Sequence, residues 1–311
     1  MGFTITTLPG QDEFGAVVTG LTPDMLDDQG VRRALHDLWI DKGVVIFREM
    51  EGIDTQLRLS EIFGEPEEHP LLRGVDVPRE HKLIIEFQYD ARTGEGEVYE
   101  VDGEIRGGWL PWHFDLVYVA QINHGGILRP VVLPERGGET GYIDQIDAYN
   151  RLPEAVKAKI DDLEVVYLYG PIETSPWCSR DEVRYIKIGP ANRSMNERAA
   201  RDWPAVVHPM VFIQKETGRK ALNLSPRFAQ YVLGMDRAES DELLTMLSNH
   251  LWDSPAYFHK WALDEMVLWD NWRMLHCVTP GPYEEVRIVE RTTIAGDYGF
   301  GRKLEQPAAT A

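Results

Sequence analysis

The feature that most limits this chain is a recurring pattern of short β-branched runs, each closed by glycine or proline. GVVIFRE (43–49), HGGILRPVVLP (124–134), GGETGYID (137–144) and VRIVERTTIAGD (286–297) are spread along its length. None is long enough for a helix core, and together they predict many short strands. Strands of this length with turn residues between them fold as a sandwich, barrel or jelly roll. Helical spacing is confined to a few segments. TPDMLDDQGVRRALHDLWIDKG (22–43) predicts one helix, with Thr22 as N-cap and Pro23 at the first helical position. Further helices are expected in 54–65, stopped by Gly64, in 153–163 and in 240–253, the last after a polar stretch. The expected fold is mainly β with flanking helices.

A hairpin is predicted in 92–107, where EVYEV and EIRGGW flank Asp102-Gly103. An Asp-Gly pair between alternating segments is a strong turn signal. The hairpin leads directly into the site discussed next, so it reads as an insertion or a lid, or as a plain surface hairpin. No linker divides the chain, so a single domain over 1–304 is expected, with EQPAATA (305–311) as a flexible tail.

Composition narrows the partners. The 311 residues carry 32 basic and 51 acidic side chains, a formal charge of −19. Such a surface repels polyanions, which excludes nucleic acid as an expected partner. No apolar run of about 18 residues is present, so no membrane span is expected. The N-terminal stretch lacks a basic start and an apolar core, and there are two cysteines, Cys178 and Cys277. Both features predict a reducing compartment, the cytoplasm.

The chemistry concentrates in GWLPWHFDLVYV (108–119). His113 and Asp115 are two apart, and on a strand such residues share a face. An imidazole and a carboxylate aimed at one point suit a divalent metal, although an ordinary surface strand shows the same three residues. A third ligand is needed, and His276, in WDNWRMLHCVTPG, lies in a late strand-like run. Two histidines and one carboxylate leave coordination positions open, as non-haem Fe(II) requires for a cosubstrate and O₂. A structural zinc site would be closed, usually by cysteines. Arg287 and Arg291 follow in VRIVERTTIAGD, and on a strand both face the same way. Inward-facing arginines need anions, and guanidinium grips a carboxylate with two parallel hydrogen bonds. The plainer alternative pairs them with solvent or with Glu290.

As a set, these segments resemble the TauD/TfdA family of Fe(II)- and 2-oxoglutarate-dependent dioxygenases, nearest its taurine branch. The resemblance runs from about residue 5 to about residue 300. It is carried in order by GAVVTGL, GVVIFRE, EIFGEPEEHP, WHFD, PERGGETGYID, HPMVFIQKETGRKALNLS, LWDNWRMLH and VRIVERTTIAGD.

The resemblance implies a double-stranded β-helix core of jelly-roll, cupin-like form. It also implies that His113, Asp115 and His276 bind iron, and that Thr140 and Arg287 hold the far carboxylate of 2-oxoglutarate, with Trp269 lining that pocket. Arg291 and His69 match residues that contact the anionic end of a small organic substrate. Three positions depart from the taurine pattern. Trp109 stands where a sulfonate-binding asparagine is found, Leu72 replaces a tyrosine, and Asn223 replaces a pocket phenylalanine. The implied substrate is therefore a carboxylate or sulfonate larger or more apolar than taurine.

The implied reaction consumes 2-oxoglutarate and O₂ on Fe(II) and hydroxylates the substrate, with cleavage where the carbon bears a heteroatom. Asp115 argues against halogenation. Desaturation or cyclisation on the same scaffold is the alternative outcome. A zinc hydrolase is a further alternative, but it leaves Thr140 and Arg287 without a role. Relatives of this kind assemble as dimers or tetramers, so a homo-oligomer is expected.

Overall fold

The structure is a computed structural model that describes residues 2–73, 81–172, 175–180, 183–296 and 301–305. The tail expected from 305 lies, from 306 onward, outside the described residues.

Two sheets form the centre. The larger takes its strands in the order Thr4–Leu8, Gln11–Thr19, Val44–Arg48, Glu265–Asp270, Gly125–Val132, Arg287–Ile294 and Pro66–Glu67, and Ile84–Tyr89 also pairs with Arg287–Ile294. The smaller runs Ala256–His259, Thr140–Asp144, Met274–Val278 and Leu110–His113. Neighbours within a sheet come from distant parts of the chain, as in a jelly roll. Pairing in both sheets is antiparallel apart from Gln11–Thr19 with Val44–Arg48. Strand outweighs helix, 37% to 25%, in agreement with the mainly β expectation.

The core between the sheets follows from strand alternation. Val44, Ile46, Val267, Trp269, Leu128 and Val289 of the larger sheet meet Tyr142 and Met274 of the smaller. On Arg287–Ile294 the buried face carries Arg287, Val289 and Arg291. Glu290 points the other way and pairs with Arg129, which leaves the two arginines facing inward without it. The other face of the larger sheet is covered by the helices Gln29–Lys42 and Ile53–Ser60. Val31, Leu35, Trp39 and Ile40 of the first pack with Leu59 of the second against Val45, Phe47 and Leu268. Each such side chain contributes about 1.5–3 kcal/mol when fully buried.

The first helix corrects the sequence expectation. Thr22 makes no side-chain cap. Residues Pro23–Asp27 form a short 3₁₀ turn, and the α-helix starts at Gln29. Asp28 is the N-cap, its carboxylate accepting from the amides of Gly30 and Val31. An aspartate with two free amides ahead of it outcompetes a threonine six residues upstream.

A buried ion pair ties the layers together. Arg273 donates to both carboxylate oxygens of Asp144, at 2.9 and 2.7 Å, and also to the carbonyls of Ile40 and Asp41 at the end of the first helix. The hairpin is present as Glu97–Val101 and Glu104–Gly107, with positive φ at both Asp102 and Gly103. It joins Val183–Ile188 on one side and Gly281–Pro282 on the other. Val183–Ile188 and the helix Pro190–Asp202 carried no sequence signal. Among this helix's described side chains only Ala199 is fully buried, so it has no apolar stripe to read. Among the described residues no helix is long and apolar enough to cross a membrane.

Candidate active site and metal centre

His113 ends the strand Leu110–His113, and His276 lies directly opposite it on Met274–Val278. Their rings are 4.3 Å apart between centroids. Asp115 is not on the strand, contrary to the shared-face expectation. It lies in the turn that follows, where Leu116 has a φ of 57°. The turn is held from outside. The side-chain oxygen of Asn271 accepts from the Asp115 amide at 2.8 Å, and its Nδ2 donates to the Asp115 carbonyl at 2.9 Å. A fully buried asparagine thus performs the positioning that strand alternation was expected to provide.

The result is a compact triad. Asp115 Oδ1 is 3.4 Å from His113 Nε2, and Asp115 Oδ2 is 3.4 Å from His276 Nε2. One donor atom from each residue lies within 4.8 Å of the others, and among the described residues this is the one group of His, Cys, Asp and Glu side chains that converges so closely. Both imidazoles are pre-set. His113 Nδ1 lies 2.8 Å from the carbonyl of Pro111, and His276 Nδ1 lies 3.3 Å from that of Met274. A carbonyl only accepts, so each Nδ1 carries the proton and each Nε2 presents a lone pair to the centre of the triad.

The electrostatics favour a cation there. Burial alone would raise the Asp115 carboxyl, but Arg291, His276 and His113 together hold it well below the usual carboxylate range. Burial, helped by His113, lowers His276, which keeps it neutral and able to ligate. Cys277, next along the chain, is buried and its thiol is pushed up to about 12, so it is an inert packing residue.

Around the triad stands a set of buried donors without acceptors. They are Arg287 Nη2, Arg291 Nε and Nη2, Trp269 Nε1 and the hydroxyl of Tyr142. Arg287 donates its Nε to the Gly138 carbonyl, and burial pushes the guanidinium down to about 10. Arg291 donates to Asp115 Oδ2 at 2.5 Å and lies over the Trp269 ring, 5.0 Å from its centroid. Trp269 is in turn 5.4 Å from the His276 ring. Gly126 makes room for this stack, since a Cβ there would come 2.8 Å from Trp269 and 3.0 Å from Arg291 Nε. Unpartnered buried donors are costly. A cluster of them beside a metal-type triad fits an oxyanionic ligand such as a dicarboxylate.

Thr140 is buried, and its hydroxyl oxygen accepts from Trp261 Nε1 at 3.0 Å, which leaves its own proton to donate. His69 is buried, with its pKa pushed down to about 3 by burial and then by Arg291. Its Nδ1 accepts from the Leu71 amide, so the proton sits on Nε2 as a further donor. Among the described residues the three departures from the taurine pattern make no hydrogen bond to the triad. Trp109 packs edge-on against Tyr99 of the hairpin, Leu72 is half-buried in the short turn Pro70–Leu72, and the Asn223 amide donates to the Pro209 carbonyl at 2.7 Å.

Residues 4–293 match the family described as "Taurine catabolism dioxygenase TauD, TfdA family". The chain belongs to that family. TauD/TfdA relatives include an (S)-phenoxypropionate/alpha-ketoglutarate-dioxygenase of Sphingobium herbicidovorans, 30% identical over 91% of this chain and 92% of that one. An alpha-ketoglutarate-dependent sulfate ester dioxygenase of Pseudomonas putida is 26% identical over 94% and 90%. A taurine dioxygenase structure from Burkholderia xenovorans shares the jelly-roll fold, with a TM-score of 0.71, 22% identity and coverage of 98% and 97%. This TauD/TfdA protein is thus a 2-oxoglutarate-dependent non-haem iron dioxygenase, with Fe(II), 2-oxoglutarate and O₂ as its cofactors.

Sequence reasoning did not single out Tyr142, Asn271 or Trp261. Tyr142 was within reach of it, because it is two residues beyond Thr140 on one strand and so shares that face. Asn271 and Trp261 act through folds of the chain that no local pattern announces.

Proposed function

We propose that this enzyme oxidises an aliphatic C–H bond of a small organic acid that is larger or more apolar than taurine. When bound, Fe(II), 2-oxoglutarate and O₂ supply the oxidising power, with 2-oxoglutarate going to succinate and CO₂ and a C–H bond becoming C–OH, or breaking to a carbonyl where the carbon bears a heteroatom. In this reading His113, Asp115 and His276 hold the metal through Nε2, a carboxylate oxygen and Nε2. Arg287 and Thr140 hold the far carboxylate of 2-oxoglutarate, and Trp269 and the Tyr142 hydroxyl complete that wall. Arg291 and the Nε2 proton of His69 face the anionic end of the substrate. Trp109, Leu72 and Asn223 mark the side where the pocket departs from the taurine pattern.

The observation that carries the reading is the cluster of acceptor-less donors around the triad. Anions on both the cosubstrate and the substrate would satisfy them. The names of the relatives agree, since phenoxypropionate and sulfate esters are both acids in which a carbon bonded to oxygen can carry the C–H bond to be oxidised. The test is a screen of carboxylates, sulfonates, sulfate esters and aryloxy acids with Fe(II), 2-oxoglutarate and O₂. Substrate-dependent succinate and a product carrying one added oxygen atom, or its cleavage fragments, are expected. Absence of 2-oxoglutarate binding to the Fe(II)-loaded protein would sink the proposal.

A further inference from the structure

Thr140 and His259 face each other in register across the strands Thr140–Asp144 and Ala256–His259, as do Tyr142 and Tyr257. Side chains paired in this way share a face. Two residues past His259 the chain brings Trp261 back to the Thr140 hydroxyl, and the indole Nε1 donates to Oγ1 at 3.0 Å. The indole is held from behind. Its ring meets that of the buried His259 edge-on at 4.7 Å. His259 has Nδ1 3.3 Å from the Tyr257 hydroxyl and Nε2 3.2 Å from Glu265 Oε2. The same carboxylate oxygen accepts at 3.3 Å from the amide of Ala262, the residue after Trp261. Glu265 begins a strand of the larger sheet, so the turn that carries Trp261 is tied to both sheets.

The polarity of this contact is fixed. An indole has a hydrogen to give and no lone pair to offer. A free hydroxyl turns about its C–O bond and presents either a hydrogen or a lone pair. With Trp261 on one lone pair of Thr140, the hydroxyl hydrogen is turned away from the indole, and among the described residues it has no acceptor. Arg287 donates to the carbonyl of Gly138, two residues before Thr140, and its buried Nη2 also has no acceptor. A carboxylate satisfies both donors, and a methyl group satisfies neither.

We infer that Trp261 is a positioning residue for the cosubstrate, fixing the Thr140 hydroxyl as a donor and so sharpening the preference for a 2-oxo acid with a carboxylate at its far end. The inference rests on the role proposed above for Thr140. In this role Trp261 acts through Thr140 and not on the cosubstrate itself, and His259 and Glu265 keep the indole at its angle.

The test uses the full chain loaded with Fe(II) in the absence of O₂. Dissociation constants are measured by direct or competitive calorimetry for 2-oxoglutarate and for 2-oxopentanoate, which has a methyl group in place of the far carboxylate. Their ratio is the readout, because a loss of packing alone weakens both acids alike. The wild type is expected to favour 2-oxoglutarate by about a hundredfold or more. Trp261→Phe is expected to cut that ratio about five- to tenfold and leave the affinity for 2-oxopentanoate nearly unchanged. Thr140→Val should lower the ratio as well, and adding Trp261→Phe to it should then change little. A ratio that Trp261→Phe leaves unchanged, an equal weakening of both acids, or the full effect of Trp261→Phe persisting in Thr140→Val would each overturn the inference and leave the proposed function standing. An unchanged ratio in Thr140→Val would remove Thr140 from the cosubstrate site and the inference with it. Failure of 2-oxoglutarate to bind the wild type would overturn the proposed function too. Melting curves accompany the variants. If Trp261→Phe does not fold, benzothienylalanine incorporated at position 261 keeps the shape of the indole without its N–H and takes its place.

Discussion

The two sides of the active site are built differently. The side assigned to metal and cosubstrate draws His113, His276, Thr140, Tyr142, Trp269 and Arg287 from strands of the two packed sheets, and its third metal ligand, Asp115, from a turn clamped by Asn271. The directions of the strand residues are set by register, as where Tyr142 pairs with His276 and His276 with His113. The side assigned to substrate draws on turns and peripheral pieces instead. His69 caps a three-residue turn, Leu72 lies in that turn, and Trp109 leans on a hairpin. A ladder fixes chemistry that must not vary, and turns allow the substrate wall to be rebuilt without disturbing it. Arg291 belongs to both sides. It sits on a strand, bonds Asp115 and still has two donors to spare.

This contrast can be broken most severely at the triad. Asp115→Ala or His276→Ala is expected to reduce 2-oxoglutarate turnover about a thousandfold or more while the fold survives. Succinate formation and circular dichroism together check this. Near-normal turnover in either variant would remove that residue from the ligand set.

The next effect belongs to Arg287. Loss of a buried charge-assisted contact costs about 2–4 kcal/mol, or roughly 30- to 1000-fold in affinity. Arg287→Ala should therefore raise the KM for 2-oxoglutarate within that range and leave the KM for the primary substrate nearly unchanged. Arg291→Ala should do the reverse, harming the primary substrate more. If both variants moved the same constant, the division into two sides would be wrong at its centre. Tyr142→Phe is the finer probe. It removes one hydroxyl and should weaken 2-oxoglutarate by roughly ten- to a hundredfold, the worth of one hydrogen bond to a charged group, about 1.5–3 kcal/mol. An unchanged dissociation constant would mean that the hydroxyl faces something else.

The same contrast explains what the sequence discloses. Strand periodicity places Arg287, Val289 and Arg291 on one inward face, as observed, and the Asp-Gly pair marks its hairpin. These depend on neighbours along the chain. The placement of Asp115 does not, because it is fixed by Asn271, 156 residues away in sequence. The helix Pro190–Asp202 was illegible for a related reason. It is held partly by Arg198, which donates to the carbonyl of Leu71, and not by a buried apolar stripe. Long-range polar anchors leave no periodic trace.

The smallest effect tests the hidden cost of the ordered side. Asp270 ends the strand Glu265–Asp270, is buried, and accepts from the Trp272 amide at 3.0 Å. Burial raises its carboxyl to about 7 despite the opposing charge of Arg273. A carboxyl that stays protonated in the fold to near 7, but ionises near 4 when unfolded, adds stability below 4 that is lost as pH rises towards 7. At pH 8 the folded protein holds a buried charge it would be more stable without. Asp270→Asn keeps the shape and the acceptor oxygen. It should raise the melting temperature by a few degrees at pH 8 and change it little at pH 4. Equal shifts at both pH values would show that the carboxylate is already well compensated, and that the ordered side carries no such strain at this strand end.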